Sequence, residues 1–350
     1  MFDCLSFADV HVHLREPGFT SKETILTGTR AASRAGYTIV CPMPNLNPVP
    51  DSLETLSVEQ AAIDRDAVVR VLPYCSITKG RKGLELVDFA ALKGRCCAFS
   101  DDGSGVQSED VMREAMKAAA REGVIIAAHC EDNSLPGTDP RSEWGQIQRD
   151  LELCAETGCH YHVCHISTKE SVQLIREAKA RGVNVTCETA PHYLTLCADD
   201  VLDDGRFRMN PPLRSAADRE ALIEGLKDGT IDVIATDHAP HTAAEKGRGF
   251  AGSAMGIIGM ETAFPVLYTK LVRSGRISLE RLVEAMSTAP RRIFGLPDTP
   301  DDRVFIDLDT PFVIDSSSFA SKGRSTPFDG WTVYGRIVKT IMNGKTIFEI

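Results

Sequence analysis

The sequence has few aromatic residues, no excess of basic residues and no long uncharged apolar run. Phe, Trp and Tyr make up 6% of the 350 residues, so a buried core must consist mainly of Val, Ile, Leu and Ala. The formal net charge of -10 argues against a surface that binds nucleic acid or an anionic membrane. No segment reaches the roughly 18 apolar residues of a membrane span. The N-terminus also lacks the pattern of a secretory signal.

Cysteine, in contrast, is abundant, with 11 residues. The number is odd, no pair of C-x-x-C motifs occurs, and several cysteines lie in apolar, strand-like runs, namely Cys41, Cys130, Cys164 and Cys187. A disulfide framework or a structural zinc site would show a different pattern. The cysteines therefore predict buried, reduced thiols in a cytoplasmic protein.

Short β-branched runs alternate with amphipathic helical patterns along most of the chain, an order that predicts parallel strands with right-handed crossovers. The predicted strands are residues 8–14, 37–42, 67–74, 96–100, 124–129, 160–165, 183–187 and 232–237. Clear helical patterns cover residues 22–35, 109–121, 168–181 and 217–227. Eight such units predict an α/β fold, a closed (β/α)8 TIM barrel, with an open doubly wound sheet as the alternative. No glycine-rich nucleotide-binding motif supports that alternative.

The chain changes character near residue 297. Two further helical patterns, residues 260–272 and 279–286, precede a segment rich in β-branched residues, Gly and Pro. This segment contains the turn signals Asp329-Gly330 and Asn343-Gly344. The sequence thus predicts a barrel domain over residues 1–297 and a small C-terminal β-sandwich appendage over residues 298–350.

Side chains that can bind metal stand where the predicted barrel strands end, which is where such barrels carry their active sites. His11 and His13 end the first strand two positions apart, so both imidazoles are expected to face the barrel axis. The other candidates follow strands four, five, six and eight, and are Asp101 or Asp102, His129, His165 and Asp237. Four histidines and two aspartates would suit two divalent ions that share a carboxylate, about 3.5–4 Å apart.

Strand alternation also predicts which neighbours do not bind metal. If His165 faces the axis, residues an odd number of positions away face the helices. The residues predicted to point outward in this way are His160, His162, Cys130 and Cys164. Structural or supporting roles are predicted for His192 and His238.

Several blocks of the sequence resemble, in order and over essentially the whole chain, those of dihydroorotases within the amidohydrolase superfamily. The first block is residues 9–18, DVHVHLREPG. The later blocks are residues 43–45, 100–103, 128–132, 162–165, 209–214 and 235–241. The first and last blocks together are most similar to the bacterial class with an aspartate bridge between its metals.

The resemblance implies two divalent metal ions, with zinc as the expected metal, although His and Asp ligands also accept Mn or Co. One ion would be held by His11, His13 and Asp237, and the other by His129 and His165. The bridge would be Asp102, judged by its spacing to His129, with Asp101 solvated. Many relatives use a carboxylated lysine here, but no lysine stands at this strand end.

A free carboxylate on the substrate would need a positive partner, and Arg15, one alternation beyond His13, can provide it. The resemblance implies that Asn45 and His241 complete this carboxylate site. The remaining substrate-binding residues that it implies are His13, Asn210, Met255 and Gly256. The simpler interpretations are a solvated rim position for Arg15 and turn positions for Asn45 and Asn210, each close to a proline.

The implied reaction is the reversible cyclisation of N-carbamoyl-L-aspartate to (S)-dihydroorotate in de novo pyrimidine biosynthesis. Asp237 would transfer the proton between the attacking water and the ring nitrogen. The expected partners are a small-molecule substrate, further copies of the chain in a homo-oligomer, and aspartate transcarbamoylase, but neither nucleic acid nor a membrane.

Two alternatives remain open. Another cyclic amidohydrolase, such as a hydantoinase or allantoinase, is disfavoured because its substrates lack the carboxylate that Arg15, Asn45 and His241 would bind. A non-catalytic partner of aspartate transcarbamoylase would be expected to have lost metal ligands, whereas this sequence keeps all six.

Two features depart from the family pattern. Only residues 1–8 precede the first block, which contains the His-x-His motif, whereas relatives usually carry a longer segment there that supplies strands to the small sandwich. We therefore expect the appendage to be built from the C-terminal segment alone, either incomplete or completed by a partner chain. Residues 134–143, on the active rim, are shorter than in typical relatives, which would affect substrate closure or metal exposure.

Overall fold

The computed structural model describes residues 1–350 and contains thirteen strands and thirteen α-helices. Strands β1 to β13 cover Phe2–Leu5, Phe7–Val12, Tyr37–Pro42, Arg70–Val71, Ile125–Ala128, His160–Val163, Val185–Thr189, Val233–Ile234, Arg303–Asp307, Phe312–Val313, Thr332–Val333, Arg336–Met342 and Lys345–Glu349. Helices α1 to α13 cover Ile25–Arg34, Leu53–Asp66, Phe89–Leu92, Glu109–Glu122, Arg141–Thr157, Lys169–Ala180, Pro191–Thr195, Ala216–Lys227, Ala243–Lys246, Gly249–Gly252, Met260–Leu267, Leu279–Val283 and Ala289–Phe294. The π-helical turns Tyr268–Val272 and Glu284–Thr288 continue α11 and α12. None of the helices combines the length and apolar character needed to cross a membrane.

The seven strands β2 to β8 and the segment around Phe99, which takes the fourth position, form a parallel barrel. The strands pair in two arcs, β2-β3-β4 and β5-β6-β7-β8. The segment around Phe99 joins the arcs, because Phe99 bridges Cys75 on one side and Ile126 on the other. A further bridge between Val12 and His238 closes the ring. The fold is therefore the (β/α)8 barrel that the alternation of strands and helices predicted.

The fourth position of the barrel differs most from its prediction. Residues 96–100 were predicted as a strand, but they form no regular strand. They join their neighbours through bridges at Phe99 and a few backbone hydrogen bonds, such as those from the amides of Cys97 to Pro73 and of Ser100 to Cys75, both at 2.9 Å. The preceding strand is also shorter than predicted and is limited to Arg70–Val71, two residues before Pro73. Proline has no amide hydrogen to donate to a neighbouring strand, which shortens the regular pairing on this side.

Two groups of buried side chains stabilise the barrel. Sixteen buried residues form one cluster, which includes the alternating side chains of Ala8 and Val10 from β2. A second cluster of 70 includes helix residues such as Ala31, Met112 and Ile147, which pack against the outside of the strands. Burying an aliphatic side chain of Val, Leu or Ile size contributes about 1.5–3 kcal/mol. This double layer holds the strand ends, and hence the site residues, in fixed positions.

The small appendage contains a strand from the N-terminus. Its four-stranded sheet has the order β1-β9-β12-β13, and β1 pairs antiparallel with β9, with Phe2 opposite Ile306. The expectation that the C-terminal segment alone builds this sheet is therefore wrong. Only Ser6 separates β1 from the first barrel strand, so the start of the chain contributes to both sheets. The domain boundary at residue 297 stays a prediction.

Candidate metal centre and active site

The carboxyl ends of the barrel strands surround a cavity of about 220 Å³. Every site residue that the resemblance implied lines it, except His11, which lies fully buried beneath it. The lining residues are His13, Arg15, Asn45, Asp102, Gly103, His129, His165, Asn210, Asp237, Ala239, His241, Met255 and Gly256. The structure thus brings together residues from all parts of the barrel sequence.

His11, His13 and Asp237 form one group of potential metal ligands. Asp237 Oδ1 lies 3.0 Å from His13 Nε2 and 3.6 Å from His11 Nε2. His11 Nε2 is buried and has no hydrogen-bond partner. Burying a ring nitrogen without a partner costs free energy unless its lone pair binds a cation.

Asp102 lies between this group and the histidines that follow β5 and β6. Its Oδ1 is 3.5 Å from His11 Nε2 and 3.8 Å from both His129 Nδ1 and His165 Nε2. His11, Asp102 and His165 form a second group of potential ligands. This central carboxylate therefore faces nitrogens of both proposed ion sites.

The neighbouring Asp101 is not solvated, contrary to the expectation. Its carboxylate is buried and accepts hydrogen bonds from the backbone amides of Ile77 and Thr78, at 2.8 and 3.1 Å, and from the Thr78 hydroxyl. Its oxygens therefore hold the loop after β4 and do not face the histidines.

Three site residues have backbone conformations that L-amino acids rarely adopt. The φ angles of Arg15, His165 and Asp237 are 61°, 32° and 48°. Such conformations cost on the order of 1–3 kcal/mol each and concentrate at functional sites. Each of the three follows the end of a barrel strand, where the unusual angle redirects the side chain.

This redirection explains why strand alternation misassigned part of β6. The strand ends at Val163, so His165 lies outside its regular alternation. His162 faces the barrel interior and contacts Glu188 at 3.2 Å, instead of facing the helices. His160 lies on the same side and contacts Thr186. Cys164 also points inward, where its sulfur joins His11 and Glu188, whereas Cys130 contacts the outward-facing Tyr161 at 3.2 Å.

Two carboxylates next to the candidate ligands were not predicted. Glu188 Oε1 lies 2.6 Å from His11 Nδ1, and Glu131 Oε2 lies 3.1 Å from His129 Nε2. Glu188 is a charged residue inside the otherwise uncharged run of β7, which was a usable signal. Glu131 follows His129 by two positions, within the block of residues 128–132. Carboxylates in these positions fix which ring nitrogen carries the hydrogen.

Two buried carboxyl groups of the site, Asp237 and Glu188, stay ionised despite their burial. Burial raises the pKa of Asp237, but the hydrogen bond with His13 and the charge of His11 outweigh it and hold the pKa well below its usual range. Burial likewise raises the pKa of Glu188, but His11 and His162 outweigh this effect and lower the pKa to about 2. Both groups are therefore carboxylates near neutral pH.

Arg15 and His241 lie side by side on the opposite wall of the cavity. The Arg15 guanidinium donates to the Pro240 carbonyl at 3.3 Å and lies 3.5 Å from His241 Nε2. Burial lowers the pKa of Arg15 to about 10, so it remains a cation at neutral pH. His241 Nε2 donates to the Met255 carbonyl at 2.7 Å.

The two predicted asparagines contact residues of the metal-binding side. Asn45 lies 2.9 Å from His13 Nδ1 through Oδ1, and its amide donates to Asp102 Oδ2 at 3.2 Å. Asn210 donates to Glu131 Oε2 at 2.8 Å. Neither is a simple turn residue, since each side chain joins the network around the histidines.

The two other histidines singled out in the sequence lie behind this wall. His238 Nδ1 accepts from the Gly259 amide at 3.2 Å, and Nε2 faces Glu23 at 3.4 Å. Burial lowers the pKa of His192 to about 4, and its Nε2 has no hydrogen-bond partner. Neither residue lines the cavity.

Comparisons with known proteins agree with this arrangement. Residues 4–139 match a family model described as dihydro-orotase-like. A dihydroorotase of Geobacillus thermodenitrificans is 52% identical over 97% of this chain and 86% of its own length, and one of Lactiplantibacillus plantarum is 49% identical over 98% and 86%. The solved structure of an L-hydantoinase (dihydropyrimidinase) from Arthrobacter aurescens has a TM-score of 0.91 at 27% identity, over 99% of this chain and 85% of that one.

Proposed function

The chain belongs to the dihydroorotase family, and from this we propose that it interconverts N-carbamoyl-L-aspartate and (S)-dihydroorotate with the help of two divalent ions. It is a cyclic amide hydrolase, and the hydrolytic direction opens the ring at its amide bond. The observation that carries the proposal is that His13, His129, His165 and two aspartates line one cavity together with Arg15, while His11 lies beneath it within reach of both aspartates. The biosynthetic direction would be a step of pyrimidine synthesis.

The residues present fit a pair of divalent ions. The donor set consists of imidazoles and carboxylates, which suit Zn, Mn or Co, and zinc is the ion we propose. The unpartnered Nε2 of His11 provides a lone pair at the point where His13 and Asp237 meet. We propose that these three residues hold one ion, that His129 and His165 hold the other, and that Asp102 bridges them. When bound, such ions lower the pKa of a shared water and polarise the ring carbonyl.

Asp237 is the residue we propose as the proton carrier. Its carboxylate is ionised near neutral pH and lies at the floor of the cavity, so it can accept a proton from the attacking water. In the hydrolytic direction it then delivers that proton to the leaving ring nitrogen. Asp237 Oδ1 faces His13 Nε2 at 3.0 Å, on the side where the ion would be held, which leaves Oδ2 for the transfer.

Arg15, with His241 and Asn45, is proposed to bind the free carboxylate of the substrate. Arg15 is buried yet charged, and no carboxylate lies within ion-pair distance of its guanidinium. A buried guanidinium of this kind gains most from a planar, bidentate anion. We propose that Asn210 and the backbone at Met255 and Gly256 contact the ring, because they line the space between Arg15 and the histidines.

The similarity in fold to an L-hydantoinase makes hydantoin hydrolysis the second candidate. The two activities differ in what the arginine side of the cavity must bind. Hydantoin lacks the carboxylate of dihydroorotate, so it would leave the Arg15 charge without a partner. Parallel assays of dihydroorotate, hydantoin and allantoin therefore separate the two candidates.

The experiment that tests the proposal uses protein purified without added metal. Metal content per chain is measured, and dihydroorotate hydrolysis is followed in the same sample before and after a chelator. Close to two ions per chain and turnover that the chelator abolishes are the expected results. Bound metal with turnover only of hydantoin would favour the second candidate. No metal and no turnover would leave the non-catalytic partner as the interpretation.

We also propose a homo-oligomer in the cytoplasm, with aspartate transcarbamoylase as a partner. The small sheet supports association, because its edge strands β1 and β13 present unpaired backbone groups. The eleven free cysteines support a reducing compartment. Light scattering of the protein alone, and after mixing with aspartate transcarbamoylase, measures both associations.

A further inference from the structure

A chain of hydrogen-bonded side chains runs inside the barrel from His160 to His11. His160 Nε2 lies 3.1 Å from Thr186 Oγ1, which lies 2.8 Å from His162 Nδ1. His162 Nε2 lies 3.2 Å from Glu188 Oε2, and Glu188 Oε1 lies 2.6 Å from His11 Nδ1. These hydrogen-bonded side chains therefore connect the amino-terminal end of β6 with a candidate metal ligand at the other end of the barrel.

The register of β6 and β7 produces this chain. His162 is paired with Thr186 in the parallel ladder. His160 and His162 are two positions apart on β6, as are Thr186 and Glu188 on β7, so all four side chains lie on the same side of the sheet. His162 and Glu188 are almost completely buried, with 0% and 1% exposure, so water does not compete for these contacts.

The chemistry of each group gives the hydrogen bonds a single direction. An ionised Glu188 only accepts, so both imidazoles must donate to it, His11 from Nδ1 and His162 from Nε2. A neutral His162 then has its lone pair on Nδ1, which accepts from the Thr186 hydroxyl. The Thr186 oxygen in turn accepts from His160 Nε2. When His11 is neutral, as a metal ligand must be, this order leaves its lone pair on Nε2, the atom that faces Asp102 and Asp237.

We propose that Glu188, His162 and Thr186 are positioning residues that hold His11 with its Nε2 lone pair directed at a divalent ion. The inference rests on the proposed function for the presence of that ion. The backbone amide of His165 also faces Glu188 Oε1, at 3.4 Å, so the same carboxylate contacts a residue of each proposed ion site. Partners of this kind typically change metal affinity by 10- to 100-fold.

The test changes two residues of this hydrogen-bonded chain of side chains, Glu188 and Thr186, and includes a matched control. Glu188→Gln keeps the shape but replaces one acceptor oxygen by an amide, which must face one of the two donating imidazoles. Thr186→Val removes the hydroxyl that donates to His162, and Thr186→Ser restores it. Thr38→Val is the control, since Thr38 is a buried residue of barrel strand β3 whose hydroxyl contacts Ser6 and Arg291 instead. Thermal melting identifies any variant that has not folded.

Two readouts distinguish this inference from the proposed function. The first is the affinity for zinc, measured by competition with a chromophoric chelator. We expect a loss of about 10- to 100-fold for Glu188→Gln, a smaller loss for Thr186→Val, and wild-type affinity for Thr186→Ser and Thr38→Val. The second is the tautomer of His162, read from ¹⁵N NMR of protein labelled at its histidines, with and without zinc. We expect the hydrogen on Nε2 in both states.

Each outcome tests either the proposed order of hydrogen bonds or the proposed function. A hydrogen on Nδ1 of His162 would overturn the proposed hydrogen-bond order, as would Glu188→Gln and Thr186→Val proteins that bind zinc as tightly as Thr38→Val. Wild-type protein that binds no divalent ion would refute the proposed function instead. In that case the tautomer of His162, measured in the metal-free protein, still tests the proposed direction of the hydrogen bonds.

Discussion

His129 Nδ1 lies 2.9 Å from His165 Nε2, although the two residues follow different strands and are 36 positions apart in the sequence. The far nitrogen of His129 faces Glu131, so Nδ1 is the atom left to bind an ion. Asp102 Oδ1 lies 3.8 Å from both of these inner nitrogens. The pair and the carboxylate therefore face one common point, which gives Asp102 the geometry of a bridging ligand.

Replacing Asp102 by Ala is expected to reduce bound metal from close to two ions per chain to one or fewer. The substitution removes the carboxylate that faces the inner nitrogens of both proposed ion sites, and it leaves the imidazoles of His11 and His165 without the negative charge between them. Turnover of dihydroorotate should fall by at least 100-fold, because bridging carboxylates position both ions. Elemental analysis of the purified variant measures the first effect, and an absorbance assay measures the second.

Asp101→Asn is the matched control for this prediction. The Asp101 carboxylate accepts from two backbone amides and a hydroxyl in the loop after β4, so the substitution should lower the melting temperature. It should leave the metal content unchanged. A protein that loses metal when Asp101 is changed, and keeps it when Asp102 is changed, would reverse the assignment of the bridge.

The barrel and the positions of its site residues could be predicted because both depend on local patterns. Alternating strands and helices define the barrel, and strand ends define where its polar side chains meet. The orientation of His162 and Cys164 could not be predicted in this way, because the positive φ of His165 interrupts the alternation on which that prediction rested. The pairing of β1 with β9 was also missed, since a contact between Phe2 and Ile306 has no local signature.

Arg15→Met is expected to raise the KM for dihydroorotate by roughly 10- to 100-fold, with a smaller change in kcat. A hydrogen bond to a charged group contributes about 1.5–3 kcal/mol, and the lost interaction is with a part of the substrate that does not react. Activity towards hydantoin, which has no carboxylate, should not fall in parallel. Steady-state kinetics with both substrates provide the measurement.

The exposed Arg30, on α1, provides a control for the loss of one positive charge. Arg30→Met should leave both kinetic constants for dihydroorotate near their wild-type values. An Arg15→Met enzyme with an unchanged KM would remove Arg15 from the proposed carboxylate site and would leave it a structural role through its bond to the Pro240 carbonyl.

Lys246→Met is expected to impair substrate binding without loss of metal. The Lys246 ammonium donates to the carbonyls of Arg208, Ala254 and Gly256, at 3.0, 2.8 and 2.7 Å, and so holds the loop that carries Met255. Without these bonds the Met255 carbonyl, which accepts from His241, should lose its fixed position. We expect a higher KM for dihydroorotate and faster amide hydrogen exchange in residues 253–257.

Lys227→Met is the control for the charge, because Lys227 is exposed at the end of α8 and lies outside the cavity. Its exchange rates and KM should match those of the wild type. Metal content close to two ions in both variants would show that any effect of Lys246 acts through the loop. A Lys246→Met protein with wild-type exchange in residues 253–257 would contradict the role assigned to this lysine.

His192→Gln is expected to make the fold less sensitive to acid. Burial lowers the pKa of His192 from 6.5 to about 4, so between these pH values the unfolded chain binds a proton that the folded chain does not. By linkage, the free energy of unfolding falls as the pH falls through this window. Between pH 7 and pH 4, the His192→Gln protein should therefore lose on the order of 3 kcal/mol less of its free energy of unfolding than the wild type does.

Urea unfolding at several pH values measures this difference. A chelator is present throughout, and the other buried histidines contribute equally to both proteins. Two curves that stay parallel from pH 7 to pH 4 would show that folding leaves the pKa of His192 unchanged, contrary to the lowering expected from its burial.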